Sequence, residues 1–169
     1  MDSETRFLQV DADNIQRMRT LNSVLFPVHY SASFYRGLLL PGQFAQLAVY
    51  GNSYVGTIAC RKQPLGFASG PLLAQPQPQQ EDKLEVYMMT LGVLAPYRRL
   101  GLGKQLLRHA IDYATKDPMV CKMVLHVQID NDDALRFYHK HGFSTVRMVE
   151  RYYKTIDPPH AYLLEYRIR

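Results

Sequence analysis

Apolar residues recur every three to four positions from residue 14 to residue 25, at Ile15, Met18, Leu21, Val24 and Leu25, which predicts an amphipathic helix with Asp13 as its cap. Phe26-Pro27 stops it. Residues 31–40 read as a second, shorter helix closed by Pro41-Gly42. Residues 46–50 and 54–61 are apolar runs joined through Gly51-Asn52-Ser53, the signature of an antiparallel hairpin. Residues 63–83 hold four prolines, five glutamines and two glycines, too little apolar surface to pack, so a flexible loop is expected there. From Leu84 the pattern sharpens. Residues 84–93 form a strand, 101–114 a helix with Leu102, Leu106, Leu107, Ala110 and Tyr113 along one face, and 119–129 another strand. Asn131 is placed to cap a further helix with Asp132 and Asp133 in its positively polarised first turn, and Gly142 after His141 is a left-handed stop. Residues 143–149 and 161–168 supply final strands. Two helices, a hairpin and then strand-helix-strand-helix-strand predict one α/β domain over residues 1–169, a mixed sheet with helices on both sides.

Composition narrows the class. At 169 residues the chain can bury a sizeable core without disulfides, and Cys60 and Cys121 lie far apart with no ligand-spaced partners, so neither a metal site nor a disulfide is indicated. A reduced, intracellular setting fits. The start Met1-Asp2-Ser3-Glu4 is polar and no apolar run is long enough for a bilayer, which predicts a soluble protein without membrane contact. The net charge of +5 comes from scattered bases with no aromatic interleaving, so it indicates polyanionic neighbours rather than sequence-specific nucleic-acid reading.

The candidate chemistry starts at Arg98-Arg99-Leu100-Gly101-Leu102-Gly103, a basic, glycine-spaced turn between a strand and a helix. Such a turn gathers unpaired N–H groups and a positive helix end at one point, which suits phosphate. A nucleotide P-loop is excluded, because Gln105 holds the hydroxyl position after Lys104 and Arg98 the first-glycine position. A dinucleotide fingerprint is excluded by Leu106 at its third glycine. On the residues alone His126, opposite the apolar face of its strand, is either a base or a satisfied structural histidine. Tyr87 is either its partner or strand packing. Phe26-Pro27-Val28 and Tyr152-Tyr153 are either walls of an apolar pocket or loop anchors.

The pattern Arg98-x-x-Gly101-x-Gly103 resembles the coenzyme A pyrophosphate motif of the GNAT superfamily of N-acetyltransferases. Together with 86–103, Leu125-His126-Val127-Gln128, Asn131, Phe137-Tyr138, Phe26-Pro27-Val28, Tyr30 and Tyr152-Tyr153-Lys154, it resembles the NatE catalytic-subunit (N-alpha-acetyltransferase 50) type over nearly the whole chain. The resemblance implies a GNAT fold with about seven strands and about four helices. It implies acetyl-CoA as cosubstrate, no metal, and Tyr87 with His126 as the base pair acting through an ordered water. Leu91, Gly92, Val93, Arg98, Arg99, Leu100, Gly101, Leu102, Gly103, Lys104, Asn131, Phe137 and Tyr138 would hold the cosubstrate. Phe26, Pro27, Val28, Tyr30, Met89, Tyr152, Tyr153 and Ile156 would shape a peptide pocket for an initiator methionine followed by an apolar residue. It further implies direct attack in a ternary complex, a monomeric catalytic domain, nascent-chain N-termini as substrates, docking on a NatA-type complex at the ribosome, and a cytoplasmic setting with the nucleus as a further one. Two alternatives share these residues: a lysine or small-amine acetyltransferase of the same fold, and a non-catalytic acetyl-CoA-binding scaffold.

Overall fold

The computed structural model describes residues 4–69 and 82–169, which separate into two compact units: 4–62 with 88–116, and 63–69 and 82–87 with 117–169. In the first unit α1 (Ile15–Leu25) and α2 (Ala32–Leu38) pack Met18, Leu21, Tyr35 and Leu38 against Ala45, Leu47 and Ala59 of two strands, β2 (Phe44–Tyr50) and β3 (Ser53–Pro64). Buried Asn22 ties these layers together, accepting from Thr57 Oγ1 at 2.9 Å and donating to the Tyr35 hydroxyl at 3.3 Å. The entry to α1 differs from expectation. The cap position is Asn14, not Asp13, and it makes no side-chain cap bond; the turn before the helix is tied instead by Asp11, whose Oδ1 accepts from the N–H groups of Asp13 and Asn14 at 2.9 Å, while Asn14 Oδ1 accepts from the Asp11 N–H. Ser31 caps α2 by accepting from the Phe34 N–H.

A strand that periodicity did not reveal opens the unit. β1 (Thr5–Gln9) is short and half-buried, and pairs antiparallel with β2, so it is an edge strand specified by that pairing rather than by its own alternation. The first unit has the order β1-β2-β3-β4, where β4 (Leu84–Val93) gives it residues 88–93, and it closes with α3 (Leu102–Lys116), whose Leu102, Leu106, Leu107, Ala110 and Ala114 are buried.

The second unit has the order β4-β5-β7-β6. β5 (Val120–Gln128) runs parallel to residues 84–87 of β4 and antiparallel to β7 (Ala161–Arg167), which pairs antiparallel with β6 (Ser144–Val149). α4 (Asp132–Lys140) starts as expected, with Asn131 Oδ1 accepting from the Ala134 N–H at 3.2 Å. The stretch expected as loop from residue 63 begins instead as the end of β3 and then a short 3-10 turn, Phe67–Ser69. Fully buried Glu85 is the reason: its carboxylate accepts from Gln63 Nε2 at 2.8 Å, the Gly66 N–H at 3.0 Å and the Ala68 N–H at 2.8 Å. Residues 70–81 of that stretch lie outside the described residues. Among the described residues, seven strands and four α-helices give the mixed α/β class that the sequence predicts. Among the described residues no helix is long and apolar enough to cross a membrane.

Candidate active site

In the second unit Tyr87 and His126 come from adjacent parallel strands, and the Tyr87 hydroxyl lies 2.7 Å from His126 Nδ1. Burial, and then the Arg147 charge two strands away, lowers the His126 pKa from 6.5 to about 4. The ring is therefore neutral at physiological pH, and Nδ1 can accept the Tyr87 proton while Nε2 carries its own. Tyr152 completes the cluster. Its ring stacks on His126 with centroids 4.0 Å apart and planes 16° from parallel, and its hydroxyl lies 2.8 Å from that of Tyr87. Tyr153 meets Tyr152 edge-on, and its N–H donates to the Pro159 carbonyl at 2.8 Å, which steadies the loop that carries both. Ile156 is half-buried in the same loop. Expected as a pocket wall, Tyr152 touches both expected base residues, a contact that a separation of 26 or 65 residues hides in the sequence.

The second-unit residues assigned to the cosubstrate are the N-cap of α4, Asn131, and two aromatics on that helix, Phe137 and Tyr138. Tyr138 is buried and edge-on to both Phe137 and Phe143, and Phe137 meets His141. Asn131 has committed its side-chain oxygen to the cap, so its amide N–H2 is what it can offer a ligand.

The first unit holds the basic turn. Arg99 (φ 64°) and Gly101 (φ 78°) are both left-handed, and a side chain at Gly101 would meet nothing within 4 Å, so the backbone there is bare to a ligand. The helical ladder begins only with the Gln105 N–H on the Gly101 carbonyl, which leaves the Leu102, Gly103 and Lys104 N–H groups at the helix start to bind an anion. Arg98 Nε donates to the Val93 carbonyl at 2.8 Å and so pins the turn to the end of β4. Arg98, Arg99, Leu100 and Lys104 are exposed, whereas the Leu102 side chain belongs to the core and offers only its N–H. This cradle fits a pyrophosphate: fixed donors, a positive helix end, and three cationic side chains.

Also in the first unit, Phe26 packs edge-on to Tyr30 at 6.4 Å, and Tyr30 stacks on Phe34 at 4.4 Å. Pro27 and Val28 are exposed between them. Met89 lines a cavity of about 450 Å³ with Ser31, Ser33, Phe34, Arg61 and Lys62. Leu91 is half-buried, and Gly92 lies directly under Phe26.

Residues 7–143 match the acetyltransferase (GNAT) family, a span holding both the turn and the Tyr87–His126 pair. The chain belongs to that family. Over 160 residues, 95% of its length, this acetyltransferase is 37% identical to N-alpha-acetyltransferase 50 of Danio rerio, covering 86% of that protein. Over the same length it is 39% identical to the probable N-acetyltransferase san of Drosophila melanogaster, covering 79% of it. Among solved structures, Arabidopsis thaliana Naa50 bound to the bisubstrate analogue CoA-Ac-MVNAL is 37% identical with a TM-score of 0.80, the match covering 95% of this chain and 97% of that one.

Two local features of the acetyltransferase carry consequences. The Cys60 thiol is wholly buried, which raises its pKa and unfits it as a nucleophile. A Cβ on Gly92 would come within 2.9 Å of Phe26 Cζ and 3.2 Å of Leu25 Cδ1. Gly92→Ala is therefore expected to lose about 1–3 kcal/mol of stability through overpacking and to push Phe26 outward. A lower Tm with a raised peptide KM checks it; an unchanged Tm contradicts it.

Proposed function

We propose that this acetyltransferase acts on the α-amine of peptides that begin with methionine followed by an apolar residue. The activity class is plain from its relatives: it is an acetyl-CoA-dependent N-terminal acetyltransferase. The observation that carries the amine preference is the neutral His126 hydrogen-bonded to Tyr87. A base this weak suits an amine that is partly unprotonated already. An α-amine titrates near 7.7 to 8.0 and a lysine near 10.4, so at pH 7 roughly a tenth of the former and under a thousandth of the latter are nucleophilic. The preference for methionine rests on apolar, partly exposed Phe26, Pro27, Val28 and Tyr30, and on the relative's bound analogue, whose peptide begins Met-Val.

Each group then has a stated task. The amide donors of 101–104 and the Arg98, Arg99 and Lys104 cations hold the pyrophosphate; Asn131, Phe137 and Tyr138 flank the pantetheine and thiol end. Acetyl-CoA supplies an acyl carbon activated as a thioester. Tyr87 and His126 receive the amine proton as the amine attacks, and no cysteine takes up the acetyl group. Docking on a NatA-type complex at the ribosome, in the cytoplasm and nucleus, belongs to the same proposal. It is supported by the family likeness and by a net charge of +5 suited to an RNA-rich setting.

A competition among peptides that differ only at their first two residues tests the substrate. Met-Leu and Met-Val starts are expected to win by kcat/KM, and a flat profile contradicts the assignment. The pH profile has a definite sign. Since His126 is neutral down to about pH 4, kcat/KM between pH 6 and 9 should rise with the fraction of free α-amine and level off near 8. An acid limb centred near 6.5 instead would mean that His126 titrates as an exposed imidazole and would contradict this assignment.

A further inference from the structure

We infer that the Tyr152 hydroxyl is a member of the proton path, the outer end of a relay that runs from Tyr152 through Tyr87 to His126. The inference rests on the reading of Tyr87 and His126 as the base pair. Two contacts in series make the path: Tyr152 oxygen to Tyr87 oxygen at 2.8 Å, and Tyr87 oxygen to His126 Nδ1 at 2.7 Å. Both are hydrogen-bond lengths across which a proton moves without heavy-atom travel. The Nε2–H tautomer of neutral His126 is the one that gives them a direction. With Nδ1 accepting from Tyr87, the lone pairs of Tyr87 are left to accept from Tyr152, and those of Tyr152 to accept from outside. Exposure orders the three in the same way, because Tyr152 is 39% exposed while Tyr87 and His126 are part-buried. An amine arriving from solvent meets Tyr152 first. A phenol oxygen can thus do what an ordered water would otherwise do.

The step balances. As the nitrogen lone pair forms the C–N bond, one N–H proton passes to the Tyr152 oxygen, the proton of Tyr152 to the Tyr87 oxygen, and that of Tyr87 to His126 Nδ1. The C–S bond breaks with its electron pair on sulfur. Each phenol ends with one proton, and the imidazolium, now protonated at both nitrogens, returns the extra proton to the thiolate or to water. The stack of Tyr152 on the imidazole face serves the same end, since it shields the ring from water and keeps it unprotonated until the amine attacks.

Tyr152→Phe keeps the stacked ring and removes only the relay oxygen, so it separates this role from that of a pocket wall. Steady-state kinetics on a Met-Val peptide, with rates in mixtures of light and heavy water, read it out. The relay predicts a kcat at least 10-fold lower with the peptide KM within 2-fold of wild type. It also predicts a proton inventory that is more strongly curved in wild type than in the variant, because three protons are in flight in the first and two in the second. A raised KM with unchanged kcat and an unchanged inventory would make Tyr152 a peptide anchor and overturn the relay. A linear inventory in wild type would overturn it without any variant. A wild-type protein that acetylates no α-amine would instead refute the proposed function, and the relay with it.

Discussion

Replacing His126 by alanine lowers kcat by about 100- to 10,000-fold, the usual weight of a positioned general base, while acetyl-CoA still protects the fold. The geometry explains both halves. His126 Nδ1 lies 2.7 Å from the Tyr87 hydroxyl on strands of one unit, whereas the basic turn is built from a different unit with its own core. Tyr87→Phe should fall in the same range, and the double variant should be little worse than the poorer single one, since two members of one path are lost only once. Single-turnover rates measure the chemical step, and the shift in Tm with added acetyl-CoA measures binding. Losses that multiply would show that the two side chains act independently. A variant that keeps full kcat would assign both residues to packing.

The second large effect lies in the turn. Gly101→Val places a β-branched side chain at φ 78°, where nothing crowds it but where an L residue with a branched Cβ is strained. Relief of that strain moves the N–H groups that start α3, so the KM for acetyl-CoA is expected to rise at least 10-fold, equivalent to about 1.4 kcal/mol. Arg98→Ala should act in the same sense through two losses, a cation and the bond that pins the turn to the Val93 carbonyl. The peptide KM should move far less in either variant. If acetyl-CoA affinity survives Gly101→Val, the pyrophosphate is held elsewhere.

Legibility in the sequence followed the reach of each signal. β4 and α4 were readable to the residue because their determinants are local: a continuous apolar run, and the Asn131 cap with Asp132 and Asp133 behind it. The cap of α1 falls at Asn14, one residue after the expected Asp13, because Asp11, Asp13 and Asn14 offer similar oxygens and only the folded backbone decides where the helix begins. β1 left no clear trace, since an edge strand of five residues owes its existence to β2. Buried Glu85 had a signal that was passed over, an acid inside an apolar strand, which must be paid in hydrogen bonds and here organises residues 63–68. The basic turn was legible by its spacing, and the left-handed Arg99 beside it was not. The contact of Tyr152 with His126 and Tyr87 is tertiary and could be placed only by the fold.

The central claim is that acetyl goes to a peptide's α-amine. Its most direct test is to incubate the protein with acetyl-CoA and a peptide that begins Met-Val and carries an internal lysine, then locate the acetyl group by fragment mass spectrometry. The account predicts one acetyl group, on the methionine nitrogen. Acetyl on the lysine side chain with a free N-terminus would contradict it.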